Sequence, residues 1–385
     1  MTRIPKVVLL IESSRETGRA LLRGIADFCH HYGPWSFYWE PGSMGKARPT
    51  LRTLKPDGVI LRDVEHVEEV LAERIPAVVV GHRRKEFDGM ANVVTDSEAI
   101  GRMAAEHLLS CGFRHFAFCG YSGTSWSEGR SESFRRRIEE AGFEVHAHFV
   151  PPMETEGAWR KVRNSILRWL RPLPKPAGLM GCNDDLAKEV IESCTMAGLR
   201  VPDDVAVIGA DNDEVVCGIC NPPMSSVAIN FERAGYEAAQ SLSAMMRGSR
   251  VATQRILVPA THVVPRRSTD VLAVEDANLA KALQFIREHA RGRVTVSQAA
   301  LAAGLSRRVL EKRFRRVLNR SALEEIRRVR TDLIARMLVE TPLPVAEIAE
   351  SLGFDDLQHV ARYFRAGKGM SPLAYRKQFG SKRSA

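Results

Sequence analysis

The hydrophobic pattern of this chain changes character once, near residue 270, and that change bounds what it can fold into. Up to about residue 265, short apolar runs alternate with amphipathic stretches; from about Ala277 onward the strand signals vanish and helical periodicity alone remains. Strands alternating with helices imply βαβ units and a parallel sheet, and a following all-helical stretch implies a separate unit. The pattern predicts strands at Lys6–Ile11, Ser36–Trp39, Gly58–Leu61, Ala77–Val80, His115–Phe118, Ala177–Met180 and Val205–Gly209. Helices are expected at Gly18–His31, Ser97–Ser110, Ser131–Ala141, Asp185–Ala197 and Phe231–Arg247. The unbroken runs Val7-Val8-Leu9-Leu10 and Ala77-Val78-Val79-Val80 fit parallel strands buried on both faces. The α/β pattern runs twice: one half ends near residue 93, a second starts near His115, and the sheet signal fades around Val258–Val264. The polar, proline-bearing stretch Pro265–Asp270 reads as the start of a linker. The expected organisation is a two-lobed α/β unit over 1–265, a linker over 266–276 and an all-α unit over 277–385.

Charge separates the same two units. Residues 1–270 hold 34 Lys+Arg and 34 Asp+Glu, whereas residues 271–385 hold 22 and 12, so the whole net charge of +10 sits in the helical part. A basic module attached to a neutral one points to a polyanion partner, nucleic acid above all. The apolar run Val7–Ile11 is too short for a signal-peptide core or a membrane span, and no later run approaches that length, so a soluble cytoplasmic protein without a membrane partner is expected. Seven cysteines in no spacing framework argue against a secreted disulfide scaffold. The single CxxC, Cys217 to Cys220, lacks a second pair or a nearby His pair, so no metal and no cofactor is expected.

Within the helical part, expected helices are Ala277–Ala290, Ser297–Ala303, Arg307–Val317, Ala322–Glu340, Val345–Ser351 and Asp355–Ala366. In the segment from Val296 to Phe314, a short helix capped by Ser297 packs through Ala300. Gly304 suits the left-handed turn, and Ser306 caps a second helix. Leu305, Val309, Leu310 and Phe314 have the spacing to face inward, leaving Arg307, Arg308, Glu311 and Lys312 outward. From Val345 to Arg365 the layout recurs, with Ala349, Gly353 in the turn, an acidic cap and a second helix. There Leu357, Val360 and Phe364 face inward, and Asp356, Gln358, His359 and Arg362 can face DNA. Two helix-turn-helix patterns 49 residues apart, joined by Ala322–Glu340, could hold two reading heads in one chain, and major grooves on one face of B-DNA recur about every 34 Å. Arg pairs with guanine and Gln with adenine, so Arg307, Arg308, Gln358 and Arg362 are candidates for base readout. Arg313, Arg315, Arg316 and Lys368 are candidates for phosphate contact.

Ligands of open parallel sheets sit beyond the carboxyl ends of the strands. Those ends hold Glu12-Ser13-Ser14-Arg15, Tyr121-Ser122, Asn183-Asp184 and Asp211-Asn212-Asp213-Glu214, with Trp126 and Arg130 where the helix after His115–Phe118 begins. A sugar needs paired donors and acceptors and an aromatic face, which these residues supply. Asp and Asn after strands also serve simply as helix caps, so the alternative of a structural role stays open.

Two resemblances follow from these residues. Ile348-Ala349, Leu352-Gly353-Phe354, Tyr363-Phe364-Arg365 and Gly369-Met370-Ser371-Pro372 with Tyr375-Arg376 resemble the AraC/XylS family of DNA-binding domains. Asp355 and Asp356 depart from that pattern, where many relatives carry a small polar residue. Residues 6–265 resemble the periplasmic-binding-protein-like domain of LacI/GalR repressors, through Arg130-Ser131-Glu132-Ser133-Phe134, Cys182-Asn183-Asp184-Asp185-Leu186-Ala187 and Val207-Ile208-Gly209-Ala210-Asp211-Asn212. That resemblance implies that Arg130, Asn183 and Asp211 hydrogen-bond sugar hydroxyls, with Ser13 and Trp126 beside them. The sheet pattern starts at once, so the N-terminal headpiece usual in that family is not expected. A LacI-like sensor followed by an AraC-type domain is the arrangement of xylose-operon regulators (XylR type). It implies a homodimer on double-stranded operator DNA, a small sugar effector such as xylose, activation of transcription and contact with RNA polymerase. The loop Glu12–Arg15 departs from that pattern.

A catalytic reading finds little to stand on. There is no GxGxxG, Walker A, GxSxG or HExxH. Asp57-Gly58-Val59-Ile60 resembles a receiver domain, whose length is about half that of this α/β region. A sugar-modifying enzyme or a receiver-type signalling protein with a DNA-binding tail is the alternative reading. Turnover of a sugar would favour the enzyme, and tight binding without turnover the sensor.

Overall fold

A computed structural model of the chain describes residues 3–39, 47–62, 72–81, 86–88, 90–152, 158–249, 254–270 and 276–380. The first part is two six-stranded sheets, each flanked by helices. One sheet has the order β11-β5-β4-β3-β1-β2, all parallel in its recorded pairings, with β1 Lys6–Leu10, β2 Ser36–Trp39, β3 Gly58–Arg62, β4 Ala77–Val80, β5 Ala91–Thr95 and β11 Gln254–Val258. The other has the order β12-β10-β9-β8-β6-β7, with β6 His115–Tyr121, β7 Val145–Val150, β8 Ala177–Gly181, β9 Val205–Asp211, β10 Ser225–Ile229 and β12 Ala260–Val264; only β12 runs antiparallel. In the first sheet, Val7, Leu9, Val78 and Val80 enter one core, whereas Val8, Leu10, Ala77 and Val79 enter the core on the opposite face. That division explains the unbroken apolar runs: with a side-chain period of two, a strand covered on both faces needs apolar residues at every position.

The lobes are not consecutive halves of the chain, as the repeated pattern suggested. The chain enters the second lobe after β5, returns to the first through the helix Phe231–Met246 and β11, then crosses again into β12. The three crossings lie side by side: Asp96 N–H donates to Val258 O (3.0 Å) and Asn230 N–H to Pro259 O (3.0 Å). The returning helix packs on Glu16–Tyr32 at glycine contacts. A Cβ at Gly24 would stand 1.8 Å from Glu232 O, and one at Gly235 2.1 Å from Leu21 O.

Half of the expected linker belongs to the second lobe. Arg267–Thr269 is a 3-10 turn in which Ser268 and Thr269 are buried. Ser268 Oγ donates to Val207 O at 2.6 Å and accepts from Ser225 N–H at 2.8 Å. These bonds satisfy the polarity that made the stretch read as exposed. Residues 271–275 lie outside the described residues.

Helices Ala277–Glu288, Val296–Ala302, Arg307–Leu318, Ala322–Glu340, Val345–Ser351, Leu357–Lys368 and Pro372–Phe379 form the last unit. It has two cores, one around Leu310 and Phe314 and one around Val360 and Phe364, joined by the long helix Ala322–Glu340. Among the described residues, no helix is long and apolar enough to cross a membrane.

Candidate ligand cleft and DNA-reading surface

The ends of β8 and β9 carry a network of polar side chains that faces the other lobe. Arg130 is buried; its Nη1 donates to Cys182 O at 2.6 Å and its Nη2 to Asp211 Oδ1 at 3.3 Å. Its guanidinium carbon lies 4.7 Å from the centroid of Trp126, which meets Tyr121 edge-on. Burial pushes the Asp211 carboxyl above its usual range despite the opposing fields of Arg130 and Arg62. Asp211 (φ +109°) and Asn212 (φ +53°) adopt backbone conformations that side chains disfavour. The surroundings hold them there. Asn212 N–H donates to Ser226 Oγ (3.0 Å), Arg266 Nη2 donates to Asn212 Oδ1 (2.8 Å), and Asp213 N–H donates to buried Asp184 Oδ2 (2.8 Å).

The sequence-predicted ligand residues thus divide. Trp126, Arg130 and Asp211 come together. Asn183 adjoins Cys182, the acceptor of Arg130, while its own Oδ1 caps the next helix by accepting Leu186 N–H at 3.0 Å. Ser13 lies on the opposite lobe, and its recorded bond is through its carbonyl, which accepts from Arg19 Nη1 at 2.9 Å. The lobes are bridged nearby: Arg15 pairs with Asp185 (2.9 Å), and Glu16 N–H donates to Asp213 Oδ2 (2.8 Å). A cavity of about 720 Å³ opens beside Thr17 and Asp211 and runs past the hinge to Glu340 of the helical unit. Sequence reasoning missed Arg62, because the expected strand stopped at Leu61. Its Nη2 donates to Thr17 Oγ1 at 2.9 Å, on the wall of this cavity.

The CxxC cysteines turn inward. Cys217 Sγ donates to Asp184 Oδ2 (3.6 Å) and Cys220 Sγ to Val216 O (3.2 Å), and burial raises both thiols, that of Cys220 to about 11.

In the helical unit the two helix-turn-helix segments share one geometry. Gly304 (φ +64°) and Gly353 (φ +68°) make the turns; Leu305 N–H donates to Ala300 O and Phe354 N–H to Ala349 O, both at 2.9 Å. The first short helix is capped by Thr295, not Ser297, in a reciprocal pair with Gln298. Ser306 caps the second helix as its position suggested, accepting Val309 N–H at 3.3 Å. Arg307, Arg308, Lys312, Arg315 and Arg316 are exposed on one second helix, and Gln358, His359 and Arg362 on the other. Val309 and Leu357, expected inward, are 40% and 50% exposed, because each second helix turns only Leu310 and Phe314, or Val360 and Phe364, fully into its core.

Several polar side chains are already engaged. Glu311 Oε2 accepts Ala322 N–H at 3.3 Å and so serves the next helix rather than the exposed face. Arg313 grips Asp276 through both carboxylate oxygens (2.6 and 2.7 Å), and Lys368 pairs with Asp332 (2.7 Å), so neither is the free phosphate donor its sequence position suggested. Asp355 pairs with Arg293, and Asp356 caps its helix by accepting Gln358 N–H. These contacts account for the two carboxylates that depart from the AraC/XylS pattern: one is neutralised and the other satisfies a helix start.

Comparison with known proteins agrees with this architecture. The periplasmic binding protein-like domain family matches residues 105–269, and a helix-turn-helix domain family matches residues 299–378. The xylose operon regulatory protein of Escherichia coli K12 is 28% identical over 384 residues, 97% of each chain, and that of Haemophilus influenzae is 26% identical over 380 residues, covering 96% and 98%. A solved structure described as the xylose-binding transcription activator XylR superposes with a TM-score of 0.62 at 28% identity, over 98% of this chain and 99% of that one. A cellobiose complex of the regulator CelR shares the fold of the first part, with a TM-score of 0.57 at 22% identity over 69% of this chain and 85% of that one.

The chain is therefore a transcription regulator, with a periplasmic-binding-protein-like sensor and a helix-turn-helix DNA-binding unit in one polypeptide. Over nearly its whole length, and in the order of its two units, it is similar to the xylose operon regulatory proteins.

Proposed function

We propose that the interlobe cleft binds a small sugar, a pentose such as xylose, and that the helical unit carries this signal to an operator, activating genes of sugar catabolism. The observation that carries the reading is the buried Arg130, shared between Cys182 O and Asp211 and stacked on Trp126 at the mouth of the strand ends. Such a group offers fixed donors, a carboxylate acceptor and an aromatic face to one small polyol. The ligand is bound and released unchanged, so the protein is not an enzyme. Ser13 and Asn183 complete the set from either side of the cleft. Arg307, Arg308, Lys312, Arg315, Gln358, His359 and Arg362 meet the duplex, with Glu311 steadying the first reading helix from within. The protein works in the cytoplasm as a homodimer on double-stranded DNA and contacts RNA polymerase there. The proposed divisions are a sensor up to about residue 270 and a DNA-binding unit from Ala277.

Coupling follows from where the two units touch. Asn230, at one of the three crossings, caps the returning helix with Oδ1 and donates from Nδ2 to Phe379 O (2.7 Å) and Gly380 O (3.3 Å) at the end of the last DNA-binding helix. Arg233 Nη1 donates to Lys377 O (3.0 Å), Tyr375 Oη to Thr261 O (2.8 Å), and His262 pairs with Glu340 (2.9 Å). A ligand that favours one hinge angle acts on the second reading head through these bonds, to the extent that it binds the two states unequally.

A thermal-shift screen of the full chain against pentoses and hexoses tests the cleft. At least one pentose should raise the melting temperature, and Arg130→Ala should abolish the rise; a rise that survives the substitution would remove the cleft assignment.

A further inference from the structure

The arginines of the cleft are not equally provided for. Arg15 is answered by Asp185, Arg19 by Glu16 and Asp213, and Arg130 by Asp211. Arg62, at the carboxyl end of β3, has no carboxylate of the described residues within ion-pair distance. Its recorded partner is the neutral Thr17 hydroxyl, and its Nε is buried with no partner at all. Asp211, whose Oδ1 is held by Arg130 from the other lobe, and Glu12 act on Arg62 through their fields and not as ion-pair partners. The result is two guanidiniums, buried Arg130 from the second lobe and half-buried Arg62 from the first, on either side of the half-buried Asp211 carboxylate.

The geometry points to a sugar acid, a pentose-sized sugar bearing a carboxylate, as the ligand of this cleft, with Arg62 as the residue that reads the carboxylate. The inference rests on the cleft reading above and narrows its ligand class. Holding a guanidinium largely out of water without an ion-pair partner is costly, and a neutral polyol supplies hydroxyl acceptors but no charge. A carboxylate supplies both, and its two oxygens match the planar fork of arginine. Burial lowers the Arg62 pKa from its usual value, against the opposing fields of Glu12 and Asp211. Thr17 Oγ1, on the cavity wall, holds Arg62 Nη2 next to the cavity. Arg130, Asp211 and Trp126 keep the hydroxyl-bearing end. The division gives the cleft a polarity: acid toward the first lobe, polyol toward the second.

Isothermal titration of the full chain with D-xylose and with D-xylonate tests this, in the wild type, Arg62→Lys and Arg62→Met. In the wild type, D-xylonate should bind at least about tenfold more tightly than D-xylose, the size of effect that a desolvated charge pair gives. Arg62→Met should remove that preference by lowering xylonate affinity at least about tenfold more than xylose affinity, and Arg62→Lys should keep part of it. Binding of xylose in preference to xylonate would overturn the inference while leaving the cleft reading in place. A folded Arg62→Met protein with undiminished xylonate affinity would also overturn it. Heat from neither sugar would overturn both this inference and the cleft reading.

Discussion

Glu325 is fully buried at the start of the helix Ala322–Glu340, held by Arg328 (2.8 Å) and Arg320 (2.7 Å). Burial, the largest single influence, would raise its pKa, but the field and hydrogen bond of Arg328 together with the fields of Arg320 and Arg287 hold the carboxyl below its usual value. Glu325→Gln leaves two arginines facing a neutral group, so it should destabilise the protein by about 3 kcal/mol or more in urea unfolding. His107 behaves oppositely. Burial, then the fields of Arg287 and Arg328, bring its pKa from 6.5 down to about 3, and its ring bonds to Thr269 Oγ1. The unfolded chain takes up a proton there that the folded chain refuses. Its contribution to stability is therefore complete above the unfolded value and is lost progressively as pH falls from 6.5 toward 3. His107→Gln should flatten the decline in melting temperature over the upper part of that window; an unchanged slope would show that His107 is not its source.

The helix pair Glu16–Tyr32 and Phe231–Met246 meets where Gly24 and Gly235 leave no room for a side chain. Gly235→Ala would push a methyl into Leu21 O and should destabilise by about 1–3 kcal/mol in thermal unfolding, as overpacked contacts do. Such contacts explain what could and could not be read beforehand. Val7–Leu10 and Ala77–Val80 were legible because strands buried on both faces are apolar throughout. Ala91–Thr95, Ser225–Ile229 and Ala260–Val264 were not, because buried Asn92, Ser225, Ser226 and Thr261 satisfy their polarity in the fold and only look exposed in sequence. The interleaving of the lobes was hidden too: β5 pairs with β11 about 160 residues away, and no local pattern announces so distant a partner. Both helix-turn-helix segments were legible down to their glycines, since their signals are local. In the cleft, Arg130 and Asp211 could be found from their motifs. Arg62 could not, because its place beside Thr17 comes from the packing of β3 against the helix Glu16–Tyr32 and not from a local motif.

At the scale of the whole molecule, the hinge of the sensor and the end of the last DNA-binding helix form one hydrogen-bonded joint. Asn230→Ala combined with Arg233→Ala should leave ligand affinity nearly unchanged while weakening the effect of ligand on DNA affinity. Titrations of each ligand in the presence and absence of the other would show this. If the doubly substituted protein kept full coupling, the signal would travel by another contact, through Tyr375 or Glu340.

Control of DNA binding by a ligand requires that the cleft and the two reading heads share one equilibrium. Quantitative footprinting of the full chain on its operator, with ligand absent and saturating, measures this directly. The expected result is protection of two major-groove segments on one face of the duplex, with a midpoint that ligand shifts, and a ligand affinity that DNA shifts by the same factor. An identical footprint and midpoint in both conditions, with ligand binding verified on the same sample, would contradict it.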